Sequence, residues 1–426
     1  MLAQVKIWNQ LVGVVFWDNK KNCAVFEYQN TFLKSGLELS PIMMPMLSGK
    51  SIYTFPTLNF ETFKGLPGLL ADSLPDKFGN KMIDVWLANQ GKSIQDFNSV
   101  NRLCYMGNRG MGALEFEPLV EQGIQPSETI QVKQLVALAK NILTERKSLS
   151  VNLKNSTAKG LTTILQVGSS AGGARAKAVI AFNEKTGEVK SGQISDLQNF
   201  NYWLLKFDGV SDKQLSTPKG YGRIEYAYYL MAKEAGIEMS ESRLLTENNR
   251  AHFMTKRFDR SGNEKLHMQT LCGMAHFDYN QPQQYSYEQA FQIMRQLKLS
   301  HWDVQQLFRR MVFNIMARNQ DDHTKNVSFI MNKKGEWSLS PAYDITFAFN
   351  PKNFWLKAHQ MSVNNKVNEI TKNDVLQVAK QCSIKNGEQI IDEIKTATGK
   401  WKKFAKESGI EIEQQKIIQQ QFNKLM

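Results

Sequence analysis

The chain of 426 residues carries 53 Lys and Arg against 40 Asp and Glu, a net charge of +13. That length buries a sizeable core and predicts two or more domains. With 42% hydrophobic and 22% charged residues, and no apolar run near the roughly 18 residues a membrane helix needs, it reads as globular and soluble, and a helical membrane protein is excluded.

The first residues, Met1–Trp8, lead into no long apolar stretch, so no secretory signal is expected. Cys23, Cys104, Cys272 and Cys382 are too scattered for a disulfide framework or a zinc site, and fit a reducing cytoplasm. The positive charge suits nucleic acid, an acidic protein or nucleotide phosphates, and equally a solvated lysine-rich surface. Its densest cluster is Lys400 to Phe404.

Along the chain, Val5 and Ile7, then Val14 to Phe16, then Ala24 to Tyr28 are apolar, with turn residues at 18–22; this predicts a β-meander. A helical region runs from Pro67 to about residue 90. The glycine cluster 107–112 precedes a strand at 113–116, and residues 131–147 read as a helix. A second glycine-rich stretch, Gln166 to Lys177, is followed by strands at 178–182 and 202–207. Ile224, Ala227, Tyr228, Met231 and Ala235 share one helix face, with Gly236 as its stop. Strands near 243–246 and 251–258 follow, joined by Glu247 to Arg250. Glycine loop, strand, strand with lysine, helix and two strands is the order of a kinase N-lobe. Beyond about 260 the pattern turns helical: Val304, Leu307, Phe308, Met311 and Ile315 stripe one long helix. A hairpin is predicted at 327–331 and 337–339, and Thr371 with Asp374 marks a helix start.

The chemistry concentrates at Asp321-Asp322-His323-Thr324-Lys325-Asn326 and Tyr343-Asp344-Ile345. An acid, an amide oxygen five positions on and a second acid downstream are what phosphoryl transfer needs. One carboxylate takes the proton of the attacking hydroxyl, and Asn and Asp hold magnesium against the phosphates. The spacing from Asp321 to Asn326 equals that of the protein-kinase catalytic loop, although no His-Arg precedes Asp321 and no Phe-Gly follows Asp344. Asp321 and Asp322 are adjacent, so one of them faces the substrate, and the spacing favours Asp321. Lys325 is a candidate to neutralise the transferring phosphoryl group. His323 has no second His or Cys nearby, which disfavours a metal role; it is assigned to the nucleotide site, with a structural hydrogen-bonded ring as the bland alternative.

The glycine loop at 168–173 lets backbone N–H groups approach phosphate oxygens, with Ser170, Ala171, Gly172, Gly173 and Ala174 as the contacts. It is neither a Walker A motif nor G-x-G-x-x-G, and a plain surface turn is its alternative. Lys206 lies in an otherwise apolar strand and needs an anionic partner. Phosphates are the functional candidate and a water-facing edge position the alternative. Glu225, near the start of the following helix, is placed to hold Lys206 as the helix glutamate does in kinases, though helix-dipole preference alone also puts glutamates there.

Taken together, these segments, with Gly65 to Pro75, Arg109 to Leu114 and Arg257-Phe258-Asp259-Arg260, resemble the HipA family of bacterial toxin kinases over nearly the full length. The resemblance implies an ATP- and magnesium-dependent serine/threonine protein kinase. By it, Asp321 is the catalytic acid, Asn326 and Asp344 hold the metal, Lys206 contacts phosphates, and the Lys256–Phe258 backbone forms the adenine hinge. It also implies autophosphorylation of the glycine loop at Ser169 or Ser170. The implied partners are a small helix-turn-helix antitoxin, operator DNA mainly through that antitoxin, and a target in translation such as a tRNA-charging enzyme.

The expected architecture is α+β and two-lobed: an α/β N-terminal subdomain over 1–120, a kinase N-lobe over 121–258 and an all-helical C-lobe over 259–426. Its expected function is protein phosphorylation by the toxin of a toxin–antitoxin pair in the cytoplasm. The rivals are a small-molecule kinase and a DNA-associated corepressor with a vestigial nucleotide site.

Overall fold

Trp8 and Asn9, both with positive φ (47° and 64°), make the two-residue turn that pairs β1 (Leu2–Ile7) with β2 (Gln10–Asp18). Such turns match the twist of the flanking strands. With β3 (Cys23–Tyr28), β4 (Ile52–Thr54) and β5 (Leu114–Glu117) they build an antiparallel sheet ordered β4-β3-β2-β1-β5. Alternation sends Ala3, Val5 and Ile7 inward, into a core that also takes Leu69, Leu70, Leu103, Cys272 and Met331. The computed structural model describes residues 2–75, 77–119, 131–133, 135–136, 139, 176–192, 197–210, 220–261, 264–423 and 425.

A second antiparallel sheet is ordered β7-β6-β8-β10-β9. Its strands are β6 (Lys177–Phe182), β7 (Val189–Ser191), β8 (Asn201–Lys206), β9 (Ser242–Glu247) and β10 (Arg250–Lys256). Asn248 and Asn249 turn between β9 and β10 with φ of 44° and 61°. The expected strand to residue 258 stops at Lys256, and Phe258 and Asp259 form a turn. The helix Tyr221–Glu234 lies close against β10 because Gly222 permits it: a Cβ there would sit 2.2 Å from the Ala251 carbonyl oxygen. On the sheet's other side, Phe78, Met82 and Trp86 of the helix Lys77–Asn89 share a core with Ala178, Trp203, Leu205 and Met254. Of the helix expected at 131–147, only a few residues are described.

The third and largest core gathers the helices Tyr287–Gln296, His301–Met316, Lys372–Gln381, Gly387–Gly399 and Trp401–Glu407. Capping boxes start three of them, at Ser286 with Gln289, Ser300 with Asp303, and Thr371 with Asp374. The C-lobe is helical in bulk but not throughout. The short strands β11 (Arg260–Ser261) and β12 (Glu264–Lys265) pair, and β13 (His267–Thr270) joins β15 (Ser328–Met331) and β16 (Trp337–Leu339) in a three-stranded sheet. β14 (Tyr285–Ser286) pairs in parallel with β17 (Met361–Ser362). Among the described residues, no helix is long and apolar enough to cross a membrane, and all four cysteines are free thiols.

Two imidazoles sit where the N-terminal sheet meets the C-lobe. Burial pulls both His267 and His276 down to about 4; the Leu39 carbonyl that accepts from His267 opposes this without cancelling it. His276 Nε2 accepts the Gly68 N–H at 3.0 Å, which requires a neutral ring. An unfolded histidine titrates near 6.5. The unfolded chain therefore binds more protons than the folded one between about pH 4 and 6.5, and the stability these residues contribute is complete above that window and lost within it on acidification. Going from pH 7 to pH 5 is expected to cost on the order of 1–2 kcal/mol for each residue. Denaturant unfolding at the two pH values checks this, and the cost should shrink in His276→Gln.

Candidate active site

The helix His301–Met316 delivers the chain to the loop 317–323, which a single turn of 3-10 helix, Thr324–Asn326, closes. Asn326 Nδ2 donates to the Asp321 carbonyl oxygen at 2.7 Å, which leaves Oδ1 as the amide atom for a cation. The Asp321 side chain is 49% exposed, with the His323 Nε2 3.9 Å from its Oδ1. Tyr279 flanks the loop: the His323 ring lies 5.4 Å from it and the Lys325 ammonium sits 5.0 Å over its face.

The neighbouring acid behaves differently. Asp322 is buried, and its carboxylate accepts from Tyr287 Oη and His359 Nδ1 at 2.9 Å and from the Gln360 N–H at 2.8 Å. Burial thus divides the pair: Asp321 faces outward and Asp322 fixes the loop. Nothing local in the sequence marks this, because the partners lie 35 to 38 positions away.

Lys206, at the end of β8, brings the lobes together. Its Nζ donates to Glu225 Oε1 at 2.5 Å and to Asp344 Oδ1 of the C-lobe. Burial would lower the Lys206 pKa, but Asp344 and Glu225 outweigh it and hold the ammonium charged. Burial likewise opposes the Asp344 charge, yet Lys206 and Lys177 hold that carboxyl at about 2. Lys177 is directly opposite Lys206 in the β6–β8 register, so two lysines meet across neighbouring strands. Like charges so placed repel unless anions join them. Sequence reasoning did not give Lys177 a place here; the strand register supplies it. Asp344 itself adopts φ of 52°, a backbone conformation uncommon outside glycine and found at functional sites. Tyr343 Oη donates to the Lys325 carbonyl at 2.6 Å and its ring stacks on Phe258 at 5.6 Å.

Behind Phe258, Asp259 is fully buried. Its carboxylate accepts from Arg257 Nε and Nη2 at 2.9 and 2.7 Å, from Arg260 Nη1 at 2.7 Å and from the Gly112 N–H at 2.7 Å. The two arginines also donate to the carbonyls of Gly110 and Gly112, so the glycine cluster of the N-terminal subdomain is clamped to the turn after β10. Despite burial, the guanidinium groups hold the Asp259 carboxyl well below the usual range. Lys256, in the expected hinge, commits its N–H to the Glu241 carbonyl at 2.8 Å.

The structure therefore brings Lys206, Glu225 and Asp344 into contact and puts Asp321, His323, Lys325 and Asn326 on one loop, joined to Asp344 through Tyr343. Ser169, Ser170, Ala171, Gly172, Gly173 and Ala174 lie outside the described residues.

Two lobes joined through a lysine–glutamate–aspartate contact, with an Asp–Asn loop beside it, define a kinase-like fold. Residues 3–117 match the HipA N-terminal domain and residues 169–401 the HipA-like C-terminal domain. The second match alone spans more than half the chain, and the chain belongs to the HipA family. HipA of Shewanella oneidensis MR-1, solved in a toxin–antitoxin complex with HipB and operator DNA, superposes with a TM-score of 0.66 over 98% of this chain and 94% of that one, at 15% identity. Over 134 residues the chain is also 31% identical to a Haemophilus influenzae protein named "Putative kinase". That match takes in 28% of this chain and 39% of the relative, so it spans about two fifths of the relative's length.

Proposed function

We propose that this chain is an ATP- and magnesium-dependent serine/threonine protein kinase and the toxin of a toxin–antitoxin pair. The observation that carries the reading is the Lys206–Glu225–Asp344 contact between the lobes, beside the Asp321–Asn326 loop. Lys206, oriented by Glu225 and kept charged by Asp344 and Glu225, offers its ammonium to phosphate oxygens. Asp344, ionised at neutral pH, and the Asn326 Oδ1 are hard oxygen donors that suit magnesium. A magnesium ion held by these two residues would supply positive charge against the phosphates. Asp321 is exposed enough to receive an acceptor hydroxyl and would take its proton as that oxygen bonds to the γ-phosphorus, the bond to the bridging oxygen breaks and ADP leaves. Lys325, on the same loop, is placed to meet the transferring group.

Family membership supports the rest of the reading: a small helix-turn-helix antitoxin as partner, operator DNA bound mainly through it, a translation-related protein target, and autophosphorylation at Ser169 or Ser170. The four free cysteines fit a cytoplasmic location. Removing the Asp344 carboxylate tests the metal assignment. Asp344→Ala is expected to abolish magnesium-dependent ATP binding in calorimetry while circular dichroism stays that of the parent. Equal ATP affinity of the parent with and without magnesium would contradict the assignment.

A further inference from the structure

The chain after Asp344 makes an excursion whose two feet straddle Asp321. At the first foot, the Ala348 N–H donates to the Arg318 carbonyl at 3.1 Å and the Ala348 carbonyl accepts the Gln320 N–H at 3.0 Å. At the second, Gln360 and His359 bind the Asp322 carboxylate. Between the feet, Gln360 Nε2 donates to the Trp355 carbonyl, and the Asn350 N–H bonds the Leu356 carbonyl at 3.0 Å. The loop is thus pinned at residues on either side of the proposed base.

Its tip is apolar, exposed and basic. Phe354 is 59% and Trp355 41% exposed, their rings edge-on at 5.3 Å. Lys357 lies 5.3 Å over the Phe354 face, and Lys352 is exposed beside them. No Asp or Glu occurs from Ile345 to Asn368. Large aromatic rings left in water this way mark interaction sites, and rings with cations and no acids complement an anionic partner carrying an apolar group.

We propose that the Lys352–Lys357 tip docks the acceptor protein, through an acidic stretch with an apolar side chain next to the phosphorylated hydroxyl. The proposal rests on the kinase reading. The anchorage beside Asp321 favours a protein acceptor over a single-stranded nucleic acid, which exposed rings and lysines also suit. A partner held here places its neighbouring residues at the base.

The test uses the full chain and a binding readout that needs no turnover. The probes are a fluorescent acidic casein-derived peptide containing Leu and Ser, a basic peptide of equal length and labelled oligo-dT. The acidic peptide is expected to bind best, and more weakly as salt rises. A Phe354→Ser/Trp355→Ser variant and a Lys352→Glu/Lys357→Glu variant should each weaken it by about tenfold or more, the scale of a few screened surface charges and one lost apolar anchor. ATP affinity, measured by calorimetry, should stay unchanged in both. Equal binding of acidic and basic peptides, unaltered affinity in both variants, or preference for oligo-dT each overturns the docking proposal. Loss of ATP binding by the parent chain would instead strike the kinase reading.

Discussion

Asp321→Ala is expected to slow phosphoryl transfer to protein by about 10²–10⁴-fold, the range of a positioned acid–base group, with ATP affinity retained. The side chain is the outward-facing member of an acidic pair, and no described hydrogen bond of the fold runs through its carboxylate. Its main-chain carbonyl, which holds Asn326, survives the substitution. The loss should therefore fall on turnover and not on folding. Incubation with labelled ATP and magnesium, followed by peptide mass spectrometry, measures it. The parent should gain one phosphate at Ser169 or Ser170 and lose activity as it does so; the variant should gain none. A folded variant that transfers phosphate at the parent rate would end the assignment of Asp321 as base.

Asp259→Ala is expected to have the largest effect on stability, about 3–5 kcal/mol, the usual result of removing one partner from a buried charge cluster. The buried guanidinium of Arg257 and the partly buried one of Arg260 would be left facing each other, and the Gly112 N–H would lose its acceptor. Equilibrium denaturation gives the number directly. A loss below about 1 kcal/mol, the scale of an exposed pair, would show that the arginines find water or other carbonyls once the carboxylate is gone. Limited proteolysis should cut first within 107–113, the loop that the cluster holds.

Where a signal was local, the sequence carried it. The meander of β1 to β3, the helix Tyr221–Glu234 with its Gly236 stop, and the Thr371 capping box each depend on residues a few positions apart. The Asp321–Asn326 spacing was legible for the same reason. β13 was not, because it is a strand only by virtue of β15, whose pairing residues lie some sixty positions downstream and impose extended geometry on a short mixed sequence. Nor was the Asp259 cluster, whose partner glycines are 147 to 150 positions upstream. The clustering of Lys177 with Lys206 requires the register of two strands, which composition does not state. Glu225 carried two explanations in the sequence, dipole and ion pair; the distance to Lys206 shows that the pair forms.

The N-terminal subdomain shares a core with each half of the kinase-like body. Its sheet packs with Cys272 and Met331 of the C-lobe, whereas its helix Lys77–Asn89 packs under β6, β8 and β10 of the N-lobe. It works as a strut spanning the jaws of the enzyme. Two-lobed kinases with nothing across the back can open about a short connector, but here the single helix Ser99–Met106 puts Leu103 and Cys104 in one core and Tyr105 and Met106 in the other, so an opening must break one of the two. A protein that grips this region from outside would therefore set the gape of the jaws without touching the nucleotide.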